Sequence, residues 1–434
     1  MTARDAALAI WRSAMAAGDV GPLVANALHL DGTFLTAGTA RVDLSAVDRV
    51  LVLGCGKAAA AMARAVEARL GDRIAAGLVV VKDGYTVPTR RVEVIEAGHP
   101  VPDARGERAA ARLLELAATT GARDLVLFLV SGGGSALTPA PPPPITLAEK
   151  QAVTRALLAA GATIDELNAV RKHLSLIKGG QLARAAAPAP VITLALSDVV
   201  GDRLDVIASG PTAPDPTTFG DALDVLRRRD CLAQTPTAVR ARLDAGARGH
   251  VAETPKPGDP LFEHVNHVII GTNALVAEAA VAEAERVGYT TELLTRALTG
   301  EARDVARELV ARARRLAPRS CLVAAGETTV TVRGRGRGGR CQEFALAAAL
   351  ALNRDDTLTI LAAGTDGTDG PTDAAGAIVD AGTVRRGSAG GADAGTALAD
   401  NDAYNFLRAS GDLVVSGPTN TNLLDVYVLL SETV

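Results

Sequence analysis

Aromatic side chains are scarce: one Trp, four Tyr and six Phe make up 3% of the 434 positions. A surface that stacks nucleic-acid bases needs more than that, so the cores must be built from Ala, Leu and Val. A basic excess is missing too. The 45 Lys and Arg against 49 Asp and Glu leave a net charge of -4, which argues against a general polyanion binder and makes any anion site local. Nucleic acid is therefore not an expected partner. The four cysteines, Cys55, Cys231, Cys321 and Cys341, lie far apart with no C-x-x-C pair. That fits a reduced cytosolic protein better than a disulfide framework or a zinc site. No uncharged apolar run approaches membrane-spanning length. The N-terminal stretch, where Asp5 and Arg12 bracket a short apolar segment, patterns as an amphipathic helix and not as a signal peptide. A cytoplasmic protein without membrane contact is expected.

What is present is globular: 48% hydrophobic and 22% charged residues in a chain long enough for two domains. Short β-branched runs alternate with Ala-rich helical segments, the pattern of parallel α/β layers. Strands are expected at 50–53, 78–81, 125–130 and 191–196. The alternation restarts with strands at 267–270, 290–294, 321–325, 358–362 and 425–430, and helices at 274–287 and 302–316. Thr146 and Glu149, after the proline run 141–144, have capping-box spacing. The loosely patterned stretch 234–260 reads as the junction, giving domains 1–240 and 260–434.

Several constellations carry chemistry. Gly54, Cys55, Gly56, Lys57, Ala58 and Ala59 follow a strand and open a helix. Glycines let the backbone approach a ligand, and a helix start presents N–H groups to an anion. The spacing satisfies G-x-G-x-x-A but not Walker A, and Lys57 adds a full charge. A tight turn with a solvated lysine would look the same. Ser131, Gly132, Gly133, Gly134 and Ser135 end the strand 125–130. They can form a nest of N–H donors around phosphate oxygens, or a flexible linker. Arg171, Ser175 and Lys178 are spaced one helical turn apart, a face for a carboxylate or phosphate, or simply a solvated one. His99 and His173 read as structural. Asp198, at a strand end, suits Mg²⁺ or an attacking hydroxyl, or a turn cap. Arg340 closes the Arg/Gly run 333–340 at a helix start, where it offers bidentate donors to an anion. Asp366 and Asp369 lie in a Gly-rich run 364–373 that reads as metal-binding or phosphate-proximal, or as a plain turn. Asn422 lies in a hydroxyl- and amide-rich run 417–422.

The order GCGKA, AGHPVPD, SGGGSA, LNAVRKHLSLIKGG, LSDVVGD, IASGPT, GGRCQE, AAGTDGTDGP and GPTNTN resembles the class II glycerate kinases over nearly the whole chain. The resemblance implies a Rossmann-like N-terminal domain, a second α/β domain known as MOFRL, and a site in the interdomain cleft. It implies ATP and a divalent metal, taken as Mg²⁺, as cofactors, and phosphorylation of D-glycerate to 2-phosphoglycerate. The family's important lysine maps onto Lys57 and its important arginine onto Arg340. Cys341 departs from the Asn that relatives tend to carry, and a change near the phosphates is expected there. Lys57 and Arg340 by that mapping, and Asp198 by its place at a strand end, are the expected catalytic groups; the remaining site residues follow from the reading of the motifs themselves. Gly54, Gly56 and 131–135 are expected to bind phosphate; Arg171, Lys178 and Asn422, substrate; Asp198, Asp366 and Asp369, metal. A homodimer is allowed. The rival is an NAD(P)H-dependent hydroxypyruvate reductase, which would use the G-x-G-x-x-A turn and an acid such as Asp83 at the end of the next strand.

Overall fold

Continuous apolar strands alternating with Ala-rich helices build two separate six-stranded sheets. In the computed structural model, which describes residues 1–432, the chain divides into two units. One is Val20–Ile270; the other joins Met1–Asp19 to the chain from Gly271 onward.

The first unit opens with a small antiparallel sheet of β1 (His29–Asp31), β2 (Phe34–Ala37) and β3 (Ala40–Asp43). Its main sheet contains β4 (Arg49–Cys55), β5 (Ile74–Lys82), β6 (Val92–Ala97), β7 (Asp124–Val130), β8 (Val191–Leu196) and β9 (Val265–Gly271). Their spatial order is β6-β5-β4-β7-β8-β9, and every pairing from β6 to β8 is parallel. Strands β7 and β8 are buried at every residue, which explains why they read as unbroken apolar runs and not as alternating ones. Small side chains on the helix Ala104–Ala118 (Ala109, Ala110 and Ala117) pack with Leu78, Val126 and Phe128 in one core. The sheet order reverses between β4 and β7. Ligands of open α/β sheets bind outside the carboxyl ends of strands at such a switch point.

A second core of this unit gathers the helices Leu147–Ala159, Ile164–His173, Phe219–Arg228 and Thr237–Ala247. The capping box of Thr146 and Glu149 is formed as the spacing requires.

The second unit contains β10 (Thr290–Leu298), β11 (Ser320–Gly326), β12 (Leu358–Gly364), β13 (Gly376–Asp380), β14 (Leu413–Val414) and β15 (Asp425–Ser431), ordered β10-β11-β15-β12-β13-β14. Only β10 and β11 are parallel; the remaining pairings are antiparallel. The parallel layers expected from the sequence thus hold in the first unit alone. In the second, the last strand inserts between β11 and β12 and runs against both. The helix Arg340–Ala351 is buried from Cys341 to Ala349.

Two boundaries differ from expectation. The helix Ala3–Ala17 buries Ala6, Ala7, Ile10, Trp11 and Ala14, one stripe at helical spacing, against the helix Asn273–Arg286. It therefore belongs to the second unit. The strand expected to open the second domain is instead β9, at the edge of the first sheet beside β8. The division falls after Ile270, and the stretch 234–260 contributes the helix Thr237–Ala247 to the first unit. Among the described residues, no helix is long and apolar enough to cross a membrane.

Candidate functional site

In the first unit the two glycine turns lie at the carboxyl ends of the neighbouring strands β4 and β7 and interlock. The Lys57 N–H donates to Gly132 O at 2.9 Å, the Ala58 N–H to Ser131 Oγ at 2.9 Å, and the Ser131 N–H to Cys55 O at 3.1 Å. Gly56 has φ +130°, and a Cβ there would sit 2.2 Å from Ser131 Oγ, so only glycine permits this approach. The Gly56 N–H goes to Val80 O and the Ala59 N–H to Gly56 O. Four consecutive amides of the first turn are thus taken by the protein. The open cradle expected at Gly54 and Gly56 is absent; these glycines bring the loops together. Gly54, within β4, lies against Leu129 O of β7.

The amides of Gly132 and Gly133, by contrast, meet no protein acceptor among the described residues. Gly133 has φ +85°, and a Cβ on it would lie 3.1 Å from the His99 ring and 3.5 Å from Lys57 Cγ. Lys57, His99 and the second turn therefore share one patch. His99 is a site neighbour that the sequence reading set aside as structural. His173 is structural as expected: its ring bonds Ala169 O at 2.7 Å and Glu253 Oε2 at 3.1 Å, and packs edge-on against Phe219.

Further groups join this rim. Asp198 follows the end of β8. Ser209, in a loop where Ala208 and Ser209 hold φ of 50° and 61°, bonds Ser135 Oγ at 2.8 Å and donates to Asn168 Oδ1 at 2.8 Å. Such left-handed non-glycine residues cost energy and cluster at functional sites. The buried Asn168 Nδ2 has no partner among the described residues. Ser175 and Lys178 do not continue the face of Arg171, because the helix Ile164–His173 ends before them. Lys178 is fully buried and donates to Ser135 O at 2.7 Å. Burial and then the Arg171 charge push its ammonium down to about 7. Lys150, which the sequence reading missed, is also buried. Burial, then the charges of Lys178 and Arg171, hold it well below the ordinary lysine range. Its signal was a lysine on the stripe that continues through Val153 and Leu157, the buried face of its helix.

In the second unit, register gathers a different cluster. Gly326 of β11 and Gly364 of β12 both pair with Asp425 of β15, so the residues after those strand ends meet at one edge. Arg340, at the first position of its helix, donates from Nε to Asp425 Oδ2 at 2.6 Å and from Nη2 to Asp425 Oδ1 at 2.9 Å. Its Nη1 reaches Glu327. Burial alone would depress the guanidinium, but Asp425 and Glu327 outweigh it and raise its pKa. Asp369 caps the same helix, accepting the Cys341 N–H at 3.2 Å and the Gln342 N–H at 2.8 Å. Burial and the Asp425 charge raise its carboxyl to about 7. Each of its oxygens thus takes a helix amide. Asp366 accepts the Thr368 N–H at 3.0 Å. Asn422 is buried in the segment leading to β15. Cys341 is buried in the core, with its thiol bonded to Asp425, the carboxylate that Arg340 forks onto. The Arg/Gly run is a pinned loop: Asn401, Asp400 and Asp402 accept the backbone N–H groups of Arg333, Gly334, Arg335 and Arg337.

Among the described residues no three His, Cys, Asp or Glu side chains gather into a metal-holding group. The carboxylates expected to hold a metal are Asp198, Asp366 and Asp369. Asp198 lies in the first unit and the other two in the second.

Residues 6–244 match the family described as a domain of unknown function, DUF4147, and 320–425 match the MOFRL family. The D-glycerate 2-kinase of Thermotoga maritima is 44% identical over 88% of this chain and 90% of its own. The chain belongs to the glycerate 2-kinase family. A solved glycerate kinase structure from Thermotoga maritima superposes with a TM-score of 0.82 at 40% identity, covering 98% of this chain and 99% of that one. A protein of Agrobacterium vitis named putative hydroxypyruvate reductase is also 44% identical, over 88% of this chain and 87% of its own.

Proposed function

We propose that this protein transfers the terminal phosphoryl group of ATP to D-glycerate, giving 2-phosphoglycerate. The observation that carries the reading is the patch at the β4–β7 switch point, where Lys57 stands beside the amides of Gly132 and Gly133. Phosphoryl transfer needs positioning and charge neutralisation more than covalent chemistry, and this patch supplies both. The second turn, 131–135, binds phosphate oxygens. Lys57 and Arg340 neutralise the transferred group, which requires the two units to serve one site, the interdomain cleft that the resemblance implies. Arg171, Lys178 and Asn422 contact the acceptor. The first unit's strand order, which reverses between β4 and β7, supports the Rossmann-like reading.

Mg²⁺ usually keeps several waters and takes one or two carboxylates plus substrate phosphates. Asp198 and Asp366 fit that demand, and the ion would neutralise phosphate charge. Asp198 otherwise accepts the proton of the attacking hydroxyl.

The name carried by the Agrobacterium relative favours a reductase, but the geometry speaks against it. A dinucleotide pyrophosphate would need the helix-start amides that the Ser131 turn already holds. Asp83, which would have to grip the ribose, is held by two bonds from Arg105. The test is a paired assay on the full chain: ADP release with D-glycerate and Mg-ATP, the product isomer identified, against NADH or NADPH loss with hydroxypyruvate. Turnover only in the second arm would overturn the kinase.

A further inference from the structure

The first unit contains a cavity of about 190 Å³, bordered by Ser135, Lys150, Gln151, Thr154, Arg155 and Arg171. Its cations form no ion pair among the described residues, and the one carboxylate that favours the charge of Lys150, Glu107, makes no salt bridge with it. Lys150 is 6% exposed and bonds only the Leu174 carbonyl, Lys178 bonds only Ser135 O, and no carboxylate forms an ion pair with either or with Arg171 among the described residues. The neighbouring Lys172 shows what the fold does with a structural buried lysine: Asp205 and Asp215 stand 3.3 Å from its ammonium. Buried charges are normally paired in this way. Three mutually repelling cations beside one small cavity call for an anion from outside the chain.

We propose that Lys150 and Arg171 form a clamp for the carboxylate of a small hydroxy acid. The cavity is smaller than the roughly 300–1,000 Å³ of sites for larger ligands, so it suits a three-carbon acid and not a nucleotide. Ser135 belongs both to the cavity wall and to the second glycine turn, so an acid seated here lies next to the phosphate-binding turn. Arg155, exposed at the mouth, adds attraction for the incoming anion. The choice of D-glycerate as the acid rests on the kinase reading.

The test uses the full chain with Lys150→Met, Arg171→Met and Lys150→Arg, measuring D-glycerate binding by calorimetry and KM for each substrate. D-glyceramide, the neutral amide of the acid, is the control ligand. Either Met variant should weaken D-glycerate about 10- to 100-fold while KM for ATP stays within about twofold. The wild type should prefer the acid to the amide, and the variants should lose that preference. Lys150→Arg should restore most of the affinity. Unchanged glycerate binding in both Met variants, or equal weakening of acid and amide, overturns the clamp. Absence of D-glycerate binding to the wild type overturns it as well. Clamp-dependent binding without ATP turnover would sink the kinase reading and leave the clamp. Turnover with unaltered KM for glycerate in both Met variants would do the reverse. Should Lys150→Met fail to fold, Arg171→Met at the cavity wall decides alone.

Discussion

Arg340 forks onto both oxygens of Asp425, a carboxylate 1% exposed. The pair holds a guanidinium at the helix start without neutralising the spare donor capacity of its outer nitrogens. Replacing Arg340 by Ala should lower kcat by on the order of 10³-fold while circular dichroism reports an intact fold. Near-normal turnover would remove Arg340 from the mechanism. Arg340→Lys should recover little, because an ammonium cannot reproduce the fork. At Gly56 the constraint is steric. A methyl group 2.2 Å from Ser131 Oγ must part the two turns, so Gly56→Ala should cost about 2 kcal/mol or more in chemical denaturation and reduce activity with it.

At the scale of elements, the helix Arg340–Ala351 depends on a carboxylate that burial disfavours. Asp369 caps its first amides, yet its pKa stands near 7 against an ordinary 3.8. The native state therefore holds this proton more tightly than the unfolded chain does, and stability falls as pH rises from about 4 through about 7. Asp369→Asn keeps an acceptor for one amide and removes the titration. Its melting temperature should decline less than the wild type's between pH 5 and pH 8. Parallel slopes for the two proteins would refute the assignment. The helix Leu147–Ala159 makes a related point. Its capping box fixes where the helix begins, and so sets Lys150 on the same face as Val153 and Leu157. Thr146→Ala should lower stability by about 1 kcal/mol.

At the scale of the whole molecule, the N-terminal helix packs in the unit that holds the C-terminal sheet. The only tryptophan, Trp11, is on that helix and 6% exposed, so its fluorescence reports the second unit. Ile10 is fully buried on the same stripe, and Ile10→Ala should cost about 2–5 kcal/mol. The fluorescence transition in denaturant should shift to lower concentration accordingly. An unshifted transition would contradict this packing of the helix.

Most strands, the capping box and the glycine turns were legible because they rest on local rules: apolar runs, cap spacing and chain reversal at glycine. Sheet direction in the second unit was not legible, since an apolar run has the same composition whichever way its neighbours point. The membership of the helix Ala3–Ala17 and of β9 was hidden for the same reason: a buried stripe does not name its partner. The fate of polar groups was decided only in three dimensions. Which amides of the first turn are taken by the second, which aspartate caps a helix, and that Lys150 is buried without an ion pair while Lys172 has two all depend on what other segments bring within a few ångströms. Sequence fixes the groups and their local geometry; only packing between distant segments determines which of them are left to meet a ligand.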